Sequence, residues 1–141
     1  MLAMPSHPIR DFMKPARWTI GPSESLTAAG ELMQLHQIRH LPVVEPSGEV
    51  VGLVSLGDLY AMEAVAEADP DRTEVRQAMA AEAFSVTPET PLAEVAAQLA
   101  DRHVGSALVV EGGRLVGLFT ASDALRVLAK LLRAESAKGS G

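Results

Sequence analysis

Two short stretches hold the residue types and spacing best suited to chemistry. In Val51-Gly52-Leu53-Val54-Ser55-Leu56-Gly57-Asp58 a β-branched, apolar run ends in a hydroxyl residue, with an aspartate three positions further on. The same order returns as Val116-Gly117-Leu118-Phe119-Thr120-Ala121-Ser122-Asp123. A helical pattern follows each stretch, so each reads as a strand feeding a helix N-terminus. Such a terminus exposes unpaired backbone N–H groups and a partial positive charge, which together can hold ligand oxygens. The spacing of Ser55 with Asp58, and of Thr120 with Asp123, also satisfies a capping box, in which hydroxyl and carboxylate close off backbone N–H groups without a ligand. The two uses are compatible.

Other chemistry has less support. His36 and His40 stand four apart, as metal ligands on one helix would, but a proline-bearing strand begins beside His40 and no third ligand is evident, so no metal site is expected. The run Gly52-Leu53-Val54-Ser55-Leu56-Gly57 misses a nucleophile elbow, which would need glycine at Leu53. No glycine-rich phosphate loop is present. Asp69 and Asp71 flank Pro70, which is solvated turn chemistry. With no set of acid, base and nucleophile, the chain is not expected to be an enzyme.

The elements that must position these residues are themselves duplicated. Ile9-Arg10-Asp11-Phe12-Met13 matches Val75-Arg76-Gln77-Ala78-Met79, and Trp18-Thr19-Ile20-Gly21-Pro22 matches Phe84-Ser85-Val86-Thr87-Pro88, both 66 positions apart (75 − 9 and 84 − 18). Gly52 and Gly117 are 65 apart (117 − 52), so one residue is lost in a turn. The first repeat opens with a short helical segment from Ser6, a candidate cap, to about Met13. A short strand over Trp18-Thr19-Ile20 follows, broken by Gly21-Pro22. Leu26, Ala29 and Met33 then recur at helical spacing to about Gln37, with Ser25 as N-cap. Strands at 41–44 and 50–54 flank the turn residues Glu45-Pro46-Ser47-Gly48-Glu49, and a helix runs from about Leu56 to Ala68.

The second repeat keeps that order. A lead-in starts near Thr73, a strand lies around Phe84-Ser85-Val86, and a helix runs from Pro91 to about Arg102 with Thr90 as cap. Gly112-Gly113 joins the next two strands in a tight turn that prefers positive φ. A last helix spans about Ala121 to Arg133, and 134–141 reads as a flexible, frayed tail. Met13, Met33, Met62 and Met79 read as core filler. The stripes Leu59, Met62, Val65, Ala66 and Leu125, Leu128, Leu132 on the last helix of each repeat suit a dimer interface or an intramolecular core contact.

The chain of 141 residues, nearly half apolar, can bury a core of ordinary size. Its net charge of −6 shows no basic gathering of the kind nucleic acid requires. It lacks cysteine, which excludes a disulfide framework and thiolate metal sites. The first residues, Met1-Leu2-Ala3-Met4-Pro5, lack the pattern of a signal peptide, and no apolar run is long enough to span a bilayer. A cytoplasmic protein with neither nucleic-acid nor membrane partners is expected.

One repeat alone offers a small sheet with one face covered by helices and the other apolar and bare. The expected solution is an α+β fold in which two repeats, 7–69 and 70–133, pack sheet to sheet about a pseudo-two-fold axis, leaving clefts near the strand-to-helix turns.

Arg39-His40-Leu41-Pro42-Val43-Val44 followed by Gly52-Leu53-Val54-Ser55-Leu56-Gly57-Asp58 closely resembles a cystathionine-β-synthase (CBS) domain. Gly105-Ser106-Ala107-Leu108-Val109-Val110 followed by Gly117-Leu118-Phe119-Thr120-Ala121-Ser122-Asp123 resembles the second motif of a tandem pair, or Bateman module. The resemblance covers about residues 7 to 132 and implies two βαββα repeats. It further implies a regulatory protein that binds an adenosine-containing effector (AMP, ADP, ATP, S-adenosylmethionine or NAD(H)), requires no other cofactor, forms a homodimer and signals energy or cofactor state to a partner protein. The alternative is a structural dimerisation module with vestigial clefts.

By that resemblance Ser55 with Asp58, and Thr120 with Asp123, face ribose and phosphate. The chemistry suits them: a carboxylate accepts from ribose hydroxyls, and a hydroxyl at a helix start donates to phosphate oxygen. Thr19 with Ile20, and Ser85 with Val86, would cradle the base. Arg39 and His40 align with phosphate-facing basic groups. Their counterparts Gly105 and Ser106 carry no charge, so one cleft is expected to bind more strongly.

Overall fold

The structure is a computed structural model that describes residues 7–139. The expected cap Ser6, the leader reading of Met1 to Pro5 and the last two residues of the expected tail lie outside the described residues. The fold is α+β, as expected. The chain forms two compact units, neither of them a continuous stretch: Ala16–Ala83 with Gly112–Leu115, and the residues up to Pro15 with Phe84–Glu111 and those from Val116 onward.

The first unit contains α1 (Leu26–His36), β1 (His40–Val44), β2 (Val50–Ser55), α2 (Leu56–Ala66) and α3 (Val75–Ala78). Ser25 caps α1 as its type suggests, its Oγ accepting the Ala28 N–H at 3.0 Å. The helical spacing of Leu26, Ala29 and Met33 puts all three in the core, against Leu41 and Val43 of β1 and Val54 of β2. Leu59 of α2 and Val75 of α3 complete that core. β1 and β2 are antiparallel, with a bulge between Val43 and Val44. The strand expected over 18–20 is reduced to one parallel bridge from Ile20 to Val43.

The second unit contains β3 (Ser85–Val86), α4 (Leu92–Arg102), β4 (Ser106–Glu111), α5 (Ala121–Gly139) and β5 (Arg114–Thr120) from Val116 on, the first two residues of β5 falling in the other unit. The strand order is β3-β4-β5, with β3 and β4 parallel. Gly112 and Gly113 take φ values of 60° and 80°, the backbone that a two-residue primed turn demands. Phe119, Val109, Ala107, Val95, Leu99 and Ile9 form the core. Each fully buried Leu, Ile or Phe side chain is worth roughly 1.5–3 kcal/mol. Thr90 does not cap α4: its hydroxyl accepts the Thr87 N–H at 3.1 Å, and Pro91 stands at the cap position without a side-chain bond.

Each lead-in packs in the unit that holds the other repeat's strands. The Ile9 and Arg10 N–H groups donate to the Thr90 and Pro88 carbonyls, and the Leu92 N–H donates to the His7 carbonyl. At the matching positions Val75 and Arg76 donate to Glu24 and Pro22, and Leu26 donates to Thr73. Lys14 and Leu118 exchange main-chain bonds in both directions, as Ala80 and Leu53 do. The compact units thus cut across the expected repeats, each taking its lead-in segment from the other repeat.

The last helices differ. α2 stops at Ala66 and Glu67 ends it at φ 48°, and the side chains of Val65 and Ala66 lie outside the described residues. α5 continues through the expected tail to Gly139, because Ala134, Glu135, Ala137 and Lys138 are good helix formers with no breaker before the glycine. It buries part of Ala124 and Val127 but leaves Leu125, Leu128, Leu131 and Leu132 exposed.

Candidate functional site

The chemistry gathers where each last strand turns into its helix. The Ser55 N–H donates to Asp58 Oδ2 at 2.8 Å, and the Asp58 N–H donates to Ser55 Oγ at 3.1 Å. In the second unit the Thr120 N–H donates to Asp123 Oδ2 at 2.9 Å and the Asp123 N–H to Thr120 Oγ1 at 3.2 Å. Both pairs are reciprocal capping boxes. Each carboxylate sits in the first turn of its helix, where the macrodipole favours negative charge. The next free N–H of each helix is also satisfied: Leu56 donates to the Arg39 carbonyl and Ala121 to the Gly105 carbonyl, both at 2.9 Å.

Those last bonds tie the junctions to the strands that carry the other candidate residues. In the first unit His40 is the register partner of Ser55, so the expected basic stretch and the hydroxyl lie side by side. Arg39 is exposed and His40 half-buried. Ile20 is buried beside Val43, and Thr19 is exposed. In the second unit Ser85 and Val86 pair with Leu108 and Val109, two strands away from Thr120 in sheet order. Ser106, the uncharged counterpart of His40, opens β4 beside Gly105. It is 2 % exposed, and its Oγ is a buried side-chain polar atom with no hydrogen-bond partner among the described residues. A buried hydroxyl without a partner costs about 1–3 kcal/mol, which calls for an explanation at this position.

The two carboxylates differ in their surroundings. The Lys14 ammonium lies 3.3 Å from Asp123 Oδ2, and Arg126 Nη1 donates to Asp123 Oδ1 at 3.1 Å. Burial pushes the Asp123 carboxyl up, but the Thr120 hydrogen bonds and the Lys14 ammonium outweigh it and hold the group below its ordinary value. Sequence reasoning missed both cations. The signal was a break in the repeat, since Lys14 matches Ala80 (80 − 14 = 66) and Arg126 matches Ala61 (126 − 61 = 65).

A second repeated relationship lies along the opening segments. The Trp18 ring stacks on His36 with centroids 3.5 Å apart and planes 9° from parallel. Sixty-six positions on, the Arg102 guanidinium lies 4.7 Å from the Phe84 ring centroid and donates to Gln98 at 2.8 Å. An open cavity of about 310 Å³ borders Phe84, Ser85, Thr87, Glu94, Gln98 and Arg102. Among the described residues no group of three or more His, Cys, Asp or Glu side chains could hold a metal ion, and no helix is long and apolar enough to cross a membrane.

Comparison with known proteins adds an independent line. The family model described as CBS domain matches residues 9–63 and 75–130. A CBS domain-containing protein of Bacillus subtilis, YhcV, is 26 % identical over 115 residues, covering 82 % of this chain and 81 % of its own. A crystal structure from Vibrio cholerae, described as a candidate acetoin utilization protein (AcuB), superimposes with a TM-score of 0.83 at 28 % identity over 93 % of this chain and 96 % of that one. The structure of CBSX2 in complex with AMP gives a TM-score of 0.78 at 26 % identity, over 89 % and 98 % of the respective chains.

Proposed function

The chain belongs to the CBS domain family, and from that membership we infer that it is a regulatory protein whose effector is an adenosine-containing ligand. AMP, ADP, ATP, S-adenosylmethionine and NAD(H) are the candidates. Two junctions carry this reading: Ser55 with Asp58, and Thr120 with Asp123, each present a hydroxyl and a carboxylate at a helix start. The carboxylate would accept from ribose hydroxyls, while the helix N-terminus favours phosphate. The Ser106 hydroxyl, beside one of these junctions and without a partner among the described residues, supports it, since a ligand oxygen would satisfy that group. The likeness to a protein solved with AMP points the same way.

In this reading Thr19, Ile20, Ser85 and Val86 line the base, and Arg39 and His40 face phosphate. The protein acts in the cytoplasm as a homodimer, without catalysis, on a partner it regulates through differential ligand affinity for two states. The exposed leucines of α5 also favour a second reading, a dimerisation module without a ligand. A thermal-shift screen with the five ligands separates the two, because a ligand that binds the folded state raises its melting temperature. Calorimetry on Asp58→Ala and Asp123→Ala then tests the sites: binding unchanged in both variants removes the carboxylates from the assignment.

A further inference from the structure

The two junctions are equivalent by position and unequal in charge, which matters for ligand choice if, as proposed above, Asp58 and Asp123 are ribose carboxylates. Asp58 accepts the Ser55 N–H on Oδ2, and among the described residues its Oδ1 has no hydrogen bond or ion pair. Asp123 accepts the Thr120 N–H and faces Lys14 on Oδ2, while Oδ1 accepts from Arg126. A carboxylate offers about four lone-pair sites, so Asp58 keeps most of its capacity and Asp123 little. A ribose hydroxyl approaching Asp123 must therefore compete with a cation.

Both cations are particular to this junction. Lys14 reaches it on the interchanged lead-in, whose main chain is bonded both ways to Leu118, and Ala80 takes the matching place against Leu53. Arg126 lies one turn along α5 from Asp123, where α2 has Ala61. A second feature lies at the same junction. Ser106, 2 % exposed, has a hydroxyl with no partner among the described residues, and the carbonyl of the preceding Gly105 accepts the first N–H of α5.

We propose that Lys14 makes the Asp123 site selective for phosphorylated adenosine ligands over uncharged ones. When the sugar takes the carboxylate, the displaced ammonium needs another anion. A phosphate on the same ligand supplies one, and plain adenosine does not. Lys14 is suited to the exchange: its side chain is 47 % exposed and its four-carbon stem is flexible.

The test is calorimetry with AMP and with adenosine on Asp58→Ala, which leaves the Asp123 site alone, and on the same variant carrying Lys14→Ala or Lys14→Met. AMP is expected to bind Asp58→Ala about tenfold or more tighter than adenosine, the yield of one charge-assisted hydrogen bond. Removing the ammonium is expected to collapse that ratio by weakening AMP and strengthening adenosine. The methionine variant keeps the packing of the stem, so a result seen only with alanine counts against the charge. An unchanged ratio with both ligands still binding overturns the role of Lys14 and leaves the ribose reading standing. Loss of all binding in Asp58→Ala confines the ligand to the other junction and also overturns it. Failure of the unmodified protein to bind either ligand overturns the ribose reading itself.

Discussion

A Cβ placed on Gly52 would lie 2.7 Å from the Ala80 carbonyl oxygen and 2.8 Å from Met79 Sδ, so the lead-in segment runs directly over the glycine. Gly117 is covered in the same way by Met13 and the Lys14 carbonyl. The duplicated glycine is there for close approach, since neither residue is among the positive-φ positions. Gly52→Ala is expected to destabilise the protein by about 1–3 kcal/mol through overpacking against backbone. Urea unfolding would register it as a lower midpoint at constant slope.

The capping boxes have a stability role separable from any ligand. Ser55→Ala and Thr120→Ala each remove the acceptor of a first-turn N–H and are expected to cost about 1 kcal/mol in ligand-free protein. Equilibrium denaturation without nucleotide measures this. A variant as stable as the parent would mean that the hydroxyl serves the ligand alone.

Acid should weaken the fold partly through Asp123. Its folded carboxyl titrates below the ordinary value of 3.8, so the unfolded chain binds more protons over that interval. The contribution of this group is therefore complete above the unfolded value and is lost as pH falls from there through the folded value. Asp123→Asn is expected to flatten the stability profile below about pH 4. Lys14→Met should reduce the same slope, because it removes one of the effects that lower the pKa.

α4 ends on His103 at φ 55°, a left-handed conformation more often given to glycine. His103→Gly keeps the main-chain bonds from this position to the Ala100 and Leu99 carbonyls and relieves the Cβ. A gain of about 0.5–1 kcal/mol is expected by thermal unfolding.

The exposed leucines of α5 predict self-association through that helix. Leu128→Glu is expected to shift the sedimentation profile from dimer to monomer without lowering the melting temperature of the separated chain, since Leu128 is 50 % exposed. A parent protein that sediments as a monomer at all concentrations would end this expectation.

How much was legible depended on how local each feature is. The order of elements followed from hydrophobic spacing, as with Leu26, Ala29 and Met33, whose common face is buried. Over 18–20 only Ile20 is bridged, for Trp18 has strand chemistry but its ring stacks on His36. The Thr90 cap failed because a nearer N–H, that of Thr87, takes its hydroxyl. The expected tail is helical as far as Gly139, because small and polar residues such as Ala134 and Lys138 are also good helix formers.

By itself the sequence determined the duplication and the two hydroxyl-carboxylate junctions, because a capping box closes within four residues and needs nothing from elsewhere in the chain. Only the tertiary structure decided which lead-in meets which glycine, and hence that Lys14 reaches Asp123 while Ala80 takes its place in the other unit. That pairing joins segments far apart in the chain through main-chain bonds, and main-chain bonds carry no side-chain pattern from which a sequence could be read.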